Sequence, residues 1–346
     1  MRASLILSAI CAAGAASPIA AVDDDDNTAY VIDASEASLT PWNVWPSWAN
    51  ASNASNYSNL SNATAQVAAP KLEVIVTGGH YALSNWSSEV HVTRLFNQSS
   101  LNATQLARVA QSVEGALDGG DYTGVVVLGA GRALEALGFY LSVVVDTPEN
   151  VVVTSVLEDG IATAWSAWSW FRGALVVDGG AIYSGAAYSP SAPGWGALGA
   201  VVAGAPRYWF TPAWPTLLAP WGALRVNFTN FTDIVPAAAA NATNSSAATV
   251  PIVFDGYYDP GVVSSLSSAI AGLVVVSSGN STSSDLTSSS IPVVFASDDG
   301  ATILPQDVPA GAIAGGDLSP LKAQLLLSIA LSKSVKEASS LQQLFA

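Results

Sequence analysis

The sequence predicts an α/β protein, with a larger N-terminal domain on a parallel sheet flanked by helices and a smaller C-terminal α/β domain. Short continuous runs of Val, Leu and Ile recur along the chain, and segments with apolar residues at helical spacing lie between them. Strands of a parallel sheet are buried on both faces and are joined by helices, so they leave this alternation in a sequence. An Ala-, Asn- and Ser-rich stretch at 236–250 has the composition of a surface linker and separates the two domains.

Each predicted element follows from its own pattern. Leu72–Val76 is an apolar, β-rich run stopped by Gly78 and Gly79, and 105–117 carries apolar residues at helical spacing. Further strands are predicted at 124–128, 143–145, 151–153, 175–177, 252–254, 273–276 and 293–295. Further helices are predicted at 133–141, 262–271 and 319–331. The predicted segments are a signal peptide (1–21), a low-complexity glycosylated segment (22–69), the N-terminal domain (70–235), the linker (236–250) and the C-terminal domain (251–346).

The first residues have the features of a secretory signal. Arg2 precedes an apolar run from Leu5 to Ala16, which ends in small residues and is too short to span a bilayer. We therefore predict a secreted, extracellular protein. Cys11, the one cysteine of the sequence, lies within the signal, so the mature chain is expected to fold without a disulfide.

Thirteen Asn-x-Ser/Thr sequons follow this signal and predict a eukaryotic secreted glycoprotein. The acceptors are Asn50, Asn53, Asn56, Asn59, Asn62, Asn85, Asn97, Asn102, Asn227, Asn230, Asn241, Asn244 and Asn280. The first five lie in the segment 22–69, whose acidic and Asn/Ser-rich composition predicts disorder. Trp42, Trp45 and Trp48 recur there at three-residue spacing, and either dock onto the folded domain or bind carbohydrate.

The charge balance excludes several classes of partner. The chain carries 26 acidic and 11 basic residues, a net charge of −15. Such an excess of negative charge repels nucleic acid and anionic membranes. We therefore expect neither as a partner.

Six segments in collinear order carry a more specific pattern. They are Val76–Gly79 (VTGG), Gly124–Tyr140 (GVVVLGAGRALEALGFY), Asp159–Gly160, Arg172–Val177 (RGALVV), Gly194–Gly199 (GWGALG) and Gly316–Leu327 (GDLSPLKAQLLL). Together they resemble the asparaginase/glutaminase family, in its type II L-asparaginase form. The resemblance implies that family's two-domain fold, an Asp-Gly pair placed before a helix, and a possible homo-oligomer with sites completed across its interface.

The resemblance also identifies the catalytic positions. The family hydrolyses a side-chain amide through an ester on a threonine, with a Thr-Asp pair and a Lys assisting. Here His80 stands at the threonine, Ala130 and Gly131 stand at the Thr-Asp pair, and Pro190 stands at the Lys. An imidazole does not form the threonyl ester, and the other three side chains have no nucleophile, acid or base. The resemblance therefore implies a pseudoenzyme with no catalytic residue retained.

A vestigial pocket is expected from the same resemblance, formed by Thr77, Gly78, Gly79, Gln98 and Asn280. Its ligand, if one is bound, would be a small amide or an amino acid. No cofactor is implied. No metal site is predicted, because His80 and His91 are the two histidines of the chain and metal sites need three or four ligands.

Two alternatives remain open from the sequence. A divergent L-asparaginase or glutaminase could use His80 as a general base, with Asp159 or Glu135 as its partner. The run Gly129-Ala130-Gly131, with Asp146 after the next apolar run, imitates a dinucleotide-binding fingerprint. Its third glycine is missing, so a plain strand-to-helix turn is favoured.

Overall fold

The computed structural model describes residues 19–22, 29–32, 71–78, 89–191, 196–209, 224, 248–256, 269–277 and 291–345. The chain forms two compact units, Met1–Val67 and Ala68–Ala346. In the first unit, β1 (Ile19–Val22) and β2 (Ala29–Ile32) form an antiparallel pair in which Ile19 is paired with Ile32. Most of the predicted signal peptide and of the segment 22–69 lies outside the described residues.

The second unit contains an eight-stranded sheet with the strand order β10-β9-β8-β7-β6-β5-β3-β4. Its strands are β3 (Leu72–Val76), β4 (Val90–Arg94), β5 (Gly124–Leu128), β6 (Asn150–Thr154), β7 (Ala174–Asp178), β8 (Ala181–Ser184), β9 (Ala197–Val202) and β10 (Ala205–Tyr208). Strands β4, β3, β5, β6 and β7 are parallel, and β8, β9 and β10 continue the sheet as antiparallel neighbours.

Helices cover both faces of this sheet. They are α1 (Ala103–Asp118), α2 (Leu134–Val144) and α3 (Leu157–Ala164). Along β5, Val125 and Val127 pack in the core with α1 and α2, whereas Val126 and Leu128 pack in the core that contains α3. Successive side chains of a strand point to opposite faces, so a strand between two helical layers must be apolar throughout. The predicted parallel sheet with helices on both faces is therefore confirmed.

A second, four-stranded parallel sheet follows. Its strands are β11 (Ile252–Phe254), β12 (Leu273–Val276), β13 (Val293–Ala296) and β14 (Ile313–Ala314), and its helices are α4 (Pro320–Ser332) and α5 (Ala338–Phe345). The Ser319 side chain caps α4, and Pro320 occupies its first position, where a proline loses no helical hydrogen bond. Helix α4 packs on β12 and β13 and also against α2, so the two sheets share one core.

One predicted strand is wrong. Residues 143–145 were predicted to be extended because three valines follow one another, but Val143 and Val144 form the last turn of α2 and Val145 ends it. Every side chain of α2 is buried, and this burial outweighs the modest β-preference of valine. The predicted helix at 262–271 lies mostly outside the described residues. Within the described ranges, no helix is long and apolar enough to cross a membrane.

One buried and one partly buried tyrosine, Tyr140 and Tyr208, predict a loss of stability at alkaline pH. Burial raises the pKa of Tyr140 to about 12, helped by the charge of Glu114, and burial likewise raises the pKa of Tyr208 to about 12. A pKa raised on folding gives stability that is complete below the unfolded value near 10 and is lost as the pH rises towards 12. Each tyrosine contributes a slope of about 1.4 kcal/mol per pH unit in that window.

We therefore expect the free energy of unfolding, measured with urea, to fall steeply between pH 10 and 12. A Tyr140→Phe variant should show a shallower fall, because one titrating group is gone. An equally steep fall in the variant would show that Tyr140 does not titrate on unfolding.

Candidate functional site at the carboxyl ends of the parallel strands

The carboxyl ends of β3 and β5 meet at one edge of the large sheet, where open α/β sheets place their ligand sites. Thr77 follows β3 and is buried. Its Oγ1 donates a hydrogen bond to the carbonyl oxygen of Leu128 over 3.1 Å, and its N–H donates to the same oxygen over 2.8 Å. These two bonds fix the turn after β3 to the end of β5. A buried hydroxyl held in this way ties the structure together and is not poised as a nucleophile.

The turn after β3 requires glycine at position 78. A Cβ atom at Gly78 would lie 1.9 Å from the carbonyl oxygen of Gln98, and the Gln98 N–H donates to the Thr77 carbonyl over 3.1 Å. The backbone of Gln98 therefore closes over the turn. Its side chain is directed elsewhere, because its Oε1 accepts from Nε2 of Gln105 on α1 over 2.7 Å. The other expected pocket residues, Gly79 and Asn280, and the position of His80 lie outside the described residues.

The positions that the resemblance assigns to the Thr-Asp pair lie where β5 leads into α2. Gly129 makes this turn tight, since a Cβ there would lie 2.8 Å from Cδ1 of Leu137. Ala130 is half-buried and directly precedes a short 3₁₀ turn. That turn begins at Gly131, which is exposed. Pro190 is exposed. At these three positions the chain presents a methyl group, a hydrogen atom and a pyrrolidine ring.

A polar cluster lies beside this turn, in the first turn of α2. The buried Glu135 carboxylate accepts a hydrogen bond from Oγ of Ser319 over 2.7 Å, and Ser319 Oγ accepts from the N–H of Lys322 over 3.3 Å. Burial lowers the pKa of Lys322, and the negative charge of Glu135 partly opposes this. The cluster joins α2 to α4 across 184 residues of sequence. Glu135, which the sequence suggested as a partner for His80, is thus hydrogen-bonded to Ser319, the residue that caps α4.

The other groups singled out from the sequence are dispersed. His91 lies on the edge strand β4, and its Nδ1 is 2.5 Å from Oε2 of the buried Glu73 on β3. Asp159 and Gly160 lie inside the first two turns of α3 and not before it. Asp146 follows helix α2 and does not end a strand, so the dinucleotide fingerprint lacks its second strand. Across the described ranges, no group of three or more His, Cys, Asp or Glu side chains could hold a metal ion.

Two of the thirteen sequons fall in the described residues, and both present an exposed asparagine. Asn97 directly precedes Gln98 at the edge of the candidate site. Asn102 caps α1: its Oδ1 accepts from the N–H of Gln105 over 2.9 Å, while Oε1 of Gln105 accepts from the N–H of Asn102 over 2.9 Å. This reciprocal capping box was missed from the sequence, although the spacing Asn102-x-x-Gln105 is its signature. The remaining acceptors lie outside the described residues.

Two yeast proteins are similar to this chain over most of its length. No protein-family model matches the chain. The chain is 38% identical to Protein YGP1 of Saccharomyces cerevisiae over 82% of its own length and 81% of that protein. It is also 38% identical to the sporulation-specific wall maturation protein of the same yeast, over 79% of its own length and 88% of that protein.

Among solved structures, the chain is similar to a probable cytoplasmic L-asparaginase from Campylobacter jejuni. The TM-score is 0.63 at 18% sequence identity, and the match covers 80% of this chain and 99% of that chain. At this identity the likeness concerns the fold. The predicted asparaginase-like fold is therefore confirmed.

Proposed function

Because the chain belongs to the family of yeast Protein YGP1 and the sporulation-specific wall maturation protein, we propose that it is a secreted, N-glycosylated protein of the cell wall. In this proposal it uses an asparaginase-like scaffold without hydrolysing amides. The scaffold serves binding or structure, and the catalytic machinery has been lost.

One observation carries the proposed loss of catalysis. The turn after β5, which would hold a hydroxyl and a carboxylate in an asparaginase, holds Ala130 and Gly131. Amide hydrolysis through an acyl-enzyme needs an activated nucleophile. When catalytic residues act as a unit, removing one of them lowers the rate nearly as much as removing all of them. The nearby buried hydroxyl of Thr77 is held by Leu128, and the carboxylate of Glu135 is held by Ser319.

Secretion and wall association are supported by the N-terminal signal, by the sequons and by the name of the second relative. Expression of the full chain with a C-terminal tag in budding yeast tests this part directly. We expect the protein in the wall fraction and the medium, with its mass lowered by endoglycosidase. Retention inside protoplasts, in a form that endoglycosidase does not shift, would contradict the proposal.

The geometry at Asn102 allows a glycan and a helix cap on one side chain. Its Oδ1 is the acceptor in the cap, which leaves the exposed Nδ2 as the atom to be glycosylated. We expect Asn102→Asp and Thr104→Ala each to remove one glycan from the secreted protein, as measured by mass spectrometry. Since aspartate still caps, the Asn102→Asp variant should keep the stability of α1.

The matched variant is Asn102→Ala, which removes the glycan and the cap together. We expect it to lower the free energy of unfolding of the deglycosylated protein by about 1 kcal/mol relative to Asn102→Asp. Equal stability of the two variants would show that the capping box contributes nothing. An unchanged mass in all three variants would show that Asn102 carries no glycan.

A further inference from the structure

The segment between α3 and β7 carries three tryptophans in six residues, Trp165-Ser-Ala-Trp168-Ser-Trp170. We call residues 165–172 the tryptophan loop. It precedes β7 and therefore lies at the amino ends of the parallel strands, at the sheet edge opposite the candidate catalytic positions. The Trp168 side chain is 67% exposed. An exposed apolar patch, unlike a single exposed side chain, marks a candidate binding site, so the neighbours of Trp168 decide whether it belongs to one.

The exposure of Trp168 does not come from a loosely held loop. Ser166 Oγ accepts from the N–H of Trp168 over 3.3 Å, and Arg172 Nε donates to the Trp168 carbonyl over 2.6 Å. Asn150, on β6, donates from its Nδ2 to the carbonyl oxygens of Ala164 over 2.6 Å and Ser166 over 3.0 Å. Hydrogen bonds therefore hold the backbone on both sides of Trp168 and at its own carbonyl. Binding at Trp168 therefore avoids the entropy cost of ordering the loop backbone.

A second exposed indole directly follows β10, whose last residue, Tyr208, is hydrogen-bonded to the tryptophan loop. Oγ of Ser169 and the hydroxyl of Tyr208 are 2.6 Å apart, and the guanidinium of Arg172 lies 3.8 Å from the centre of the Tyr208 ring. Trp209 follows Tyr208 directly, its N–H donates to the Leu198 carbonyl over 2.9 Å, and its side chain is 60% exposed. Trp168 directly precedes Ser169, and Trp209 directly follows Tyr208. Each exposed indole is therefore next in sequence to one partner of the Ser169–Tyr208 hydrogen bond.

The chemistry of two exposed indoles on an acidic protein favours an uncharged ligand. A net charge of −15 opposes polyanions such as nucleic acid and anionic lipid surfaces. A flat aromatic ring fits the apolar face of a pyranose, and its N–H can bond to a hydroxyl at the ring edge. In β-linked glucose every ring hydroxyl is equatorial, so both faces of each sugar present C–H groups to an indole. In mannose the axial 2-hydroxyl interrupts one face.

We propose that Trp168 and Trp209 form a binding surface for an uncharged β-linked glucan. The inference rests on the proposed wall association and gives that association a chemical partner. The surface is separate from the candidate catalytic positions. Binding at the tryptophan loop is therefore compatible with the loss of amide hydrolysis, and does not require the vestigial pocket.

The test uses purified, secreted full-length protein and insoluble β-1,3-glucan, with insoluble mannan as the comparison polysaccharide. We expect co-sedimentation with glucan to weaken about tenfold in Trp168→Ala and in Trp209→Ala, which is the loss of one good contact. Trp168→Phe should recover part of the affinity. Phe254→Ala serves as the matched control, because Phe254 is 54% exposed but lies on β11 of the other sheet, and it should bind as the parent does.

Three outcomes would overturn this proposal. The first is glucan binding that is unchanged in both tryptophan variants, and the second is equal binding of the parent protein to mannan. The third is a parent protein that does not bind glucan but self-associates, as measured by light scattering, and loses this self-association in both tryptophan variants. Each leaves the proposed function standing if the protein still fractionates with the wall in cells. Conversely, a protein retained inside protoplasts would refute the wall association, whatever the purified protein binds.

Discussion

An Asn150→Asp variant should lose about 3 to 5 kcal/mol of stability, because it places a carboxylate where a buried amide donates two hydrogen bonds. Asn150 is 1% exposed, and its Nδ2 bonds to the carbonyl oxygens of Ala164 and Ser166 at the end of α3. The substitution removes both donors and directs a negative oxygen at two carbonyls. Its Oδ1 has no hydrogen-bond partner in the structure, so nothing on that side compensates for the charge.

The pH dependence of this loss of stability separates the effect of the negative charge from any effect of altered packing. Burial beside two carbonyls must raise the pKa of the introduced aspartate above its unfolded value, since the neutral form can still donate. The variant therefore keeps most of its stability below the pKa that this aspartate has in the unfolded chain. That stability is lost as the pH rises through the higher pKa of the aspartate in the folded protein. Urea unfolding at pH 4 and pH 7 should therefore show a smaller deficit at pH 4.

The matched control for this charge change is Asn97→Asp, made in unglycosylated protein, because Asn97 is exposed. We expect a change of less than about 0.5 kcal/mol there. A deficit below about 1 kcal/mol at position 150, or one equal at both pH values, would mean that the two hydrogen bonds do not hold the end of α3. The tryptophan loop would then lack the anchor that we assign to it.

The second large effect is expected for Gly185→Ala, at about 3 kcal/mol of destabilisation. A Cβ at Gly185 would lie 2.4 Å from the carbonyl oxygen of Gly138 on α2 and 2.5 Å from Oγ of Ser142. The first of these atoms belongs to the backbone of a buried helix, so it can move away only if α2 shifts away from the segment after β8. Chemical denaturation at neutral pH measures the loss.

Gly115→Ala is the control for this substitution. Gly115 lies on the exposed side of α1, and no atom lies within 4 Å of the place that an added methyl group would take. Alanine should therefore stabilise that helix by about 0.5 to 1 kcal/mol. A neutral Gly185→Ala variant would contradict the close approach of α2 to the segment after β8. Opposite signs at the two glycines would support it.

The sequence predicted most of the parallel strands because burial on both faces makes them continuously apolar. The hairpins β7–β8 and β9–β10 were missed. Gly179 and Gly180 both have positive φ and form the two-residue turn between Asp178 and Ala181, a signal that the Gly-Gly pair could have given. In the next hairpin, Ala203 takes φ 52° in the corresponding place. An alanine gives no such signal, because its own preference opposes that conformation.

The candidate site was predicted in outline and not in its contacts. The Thr77-Gly78 turn follows from glycines that stop a buried strand. The tie from Thr77 to Leu128 and the bond from Ser319 to Glu135 join residues 51 and 184 positions apart. Local patterns do not contain such pairings, which depend on how the strands are ordered and on how α4 packs against α2. The tryptophan loop was likewise not distinguished from the sequence, because exposure is a property of the folded chain.

The proposed function requires that this asparaginase-like scaffold does not hydrolyse amides. The most direct measurement is ammonia release by the purified, secreted full-length protein with L-asparagine and with L-glutamine, beside an active L-asparaginase assayed at far lower concentration. We expect release equal to the buffer blank from the parent protein and from its His80→Ala variant, because Ala130, Gly131 and Pro190 supply no catalytic group. Turnover by the parent protein that disappears in His80→Ala would contradict the claim and establish a divergent amidohydrolase.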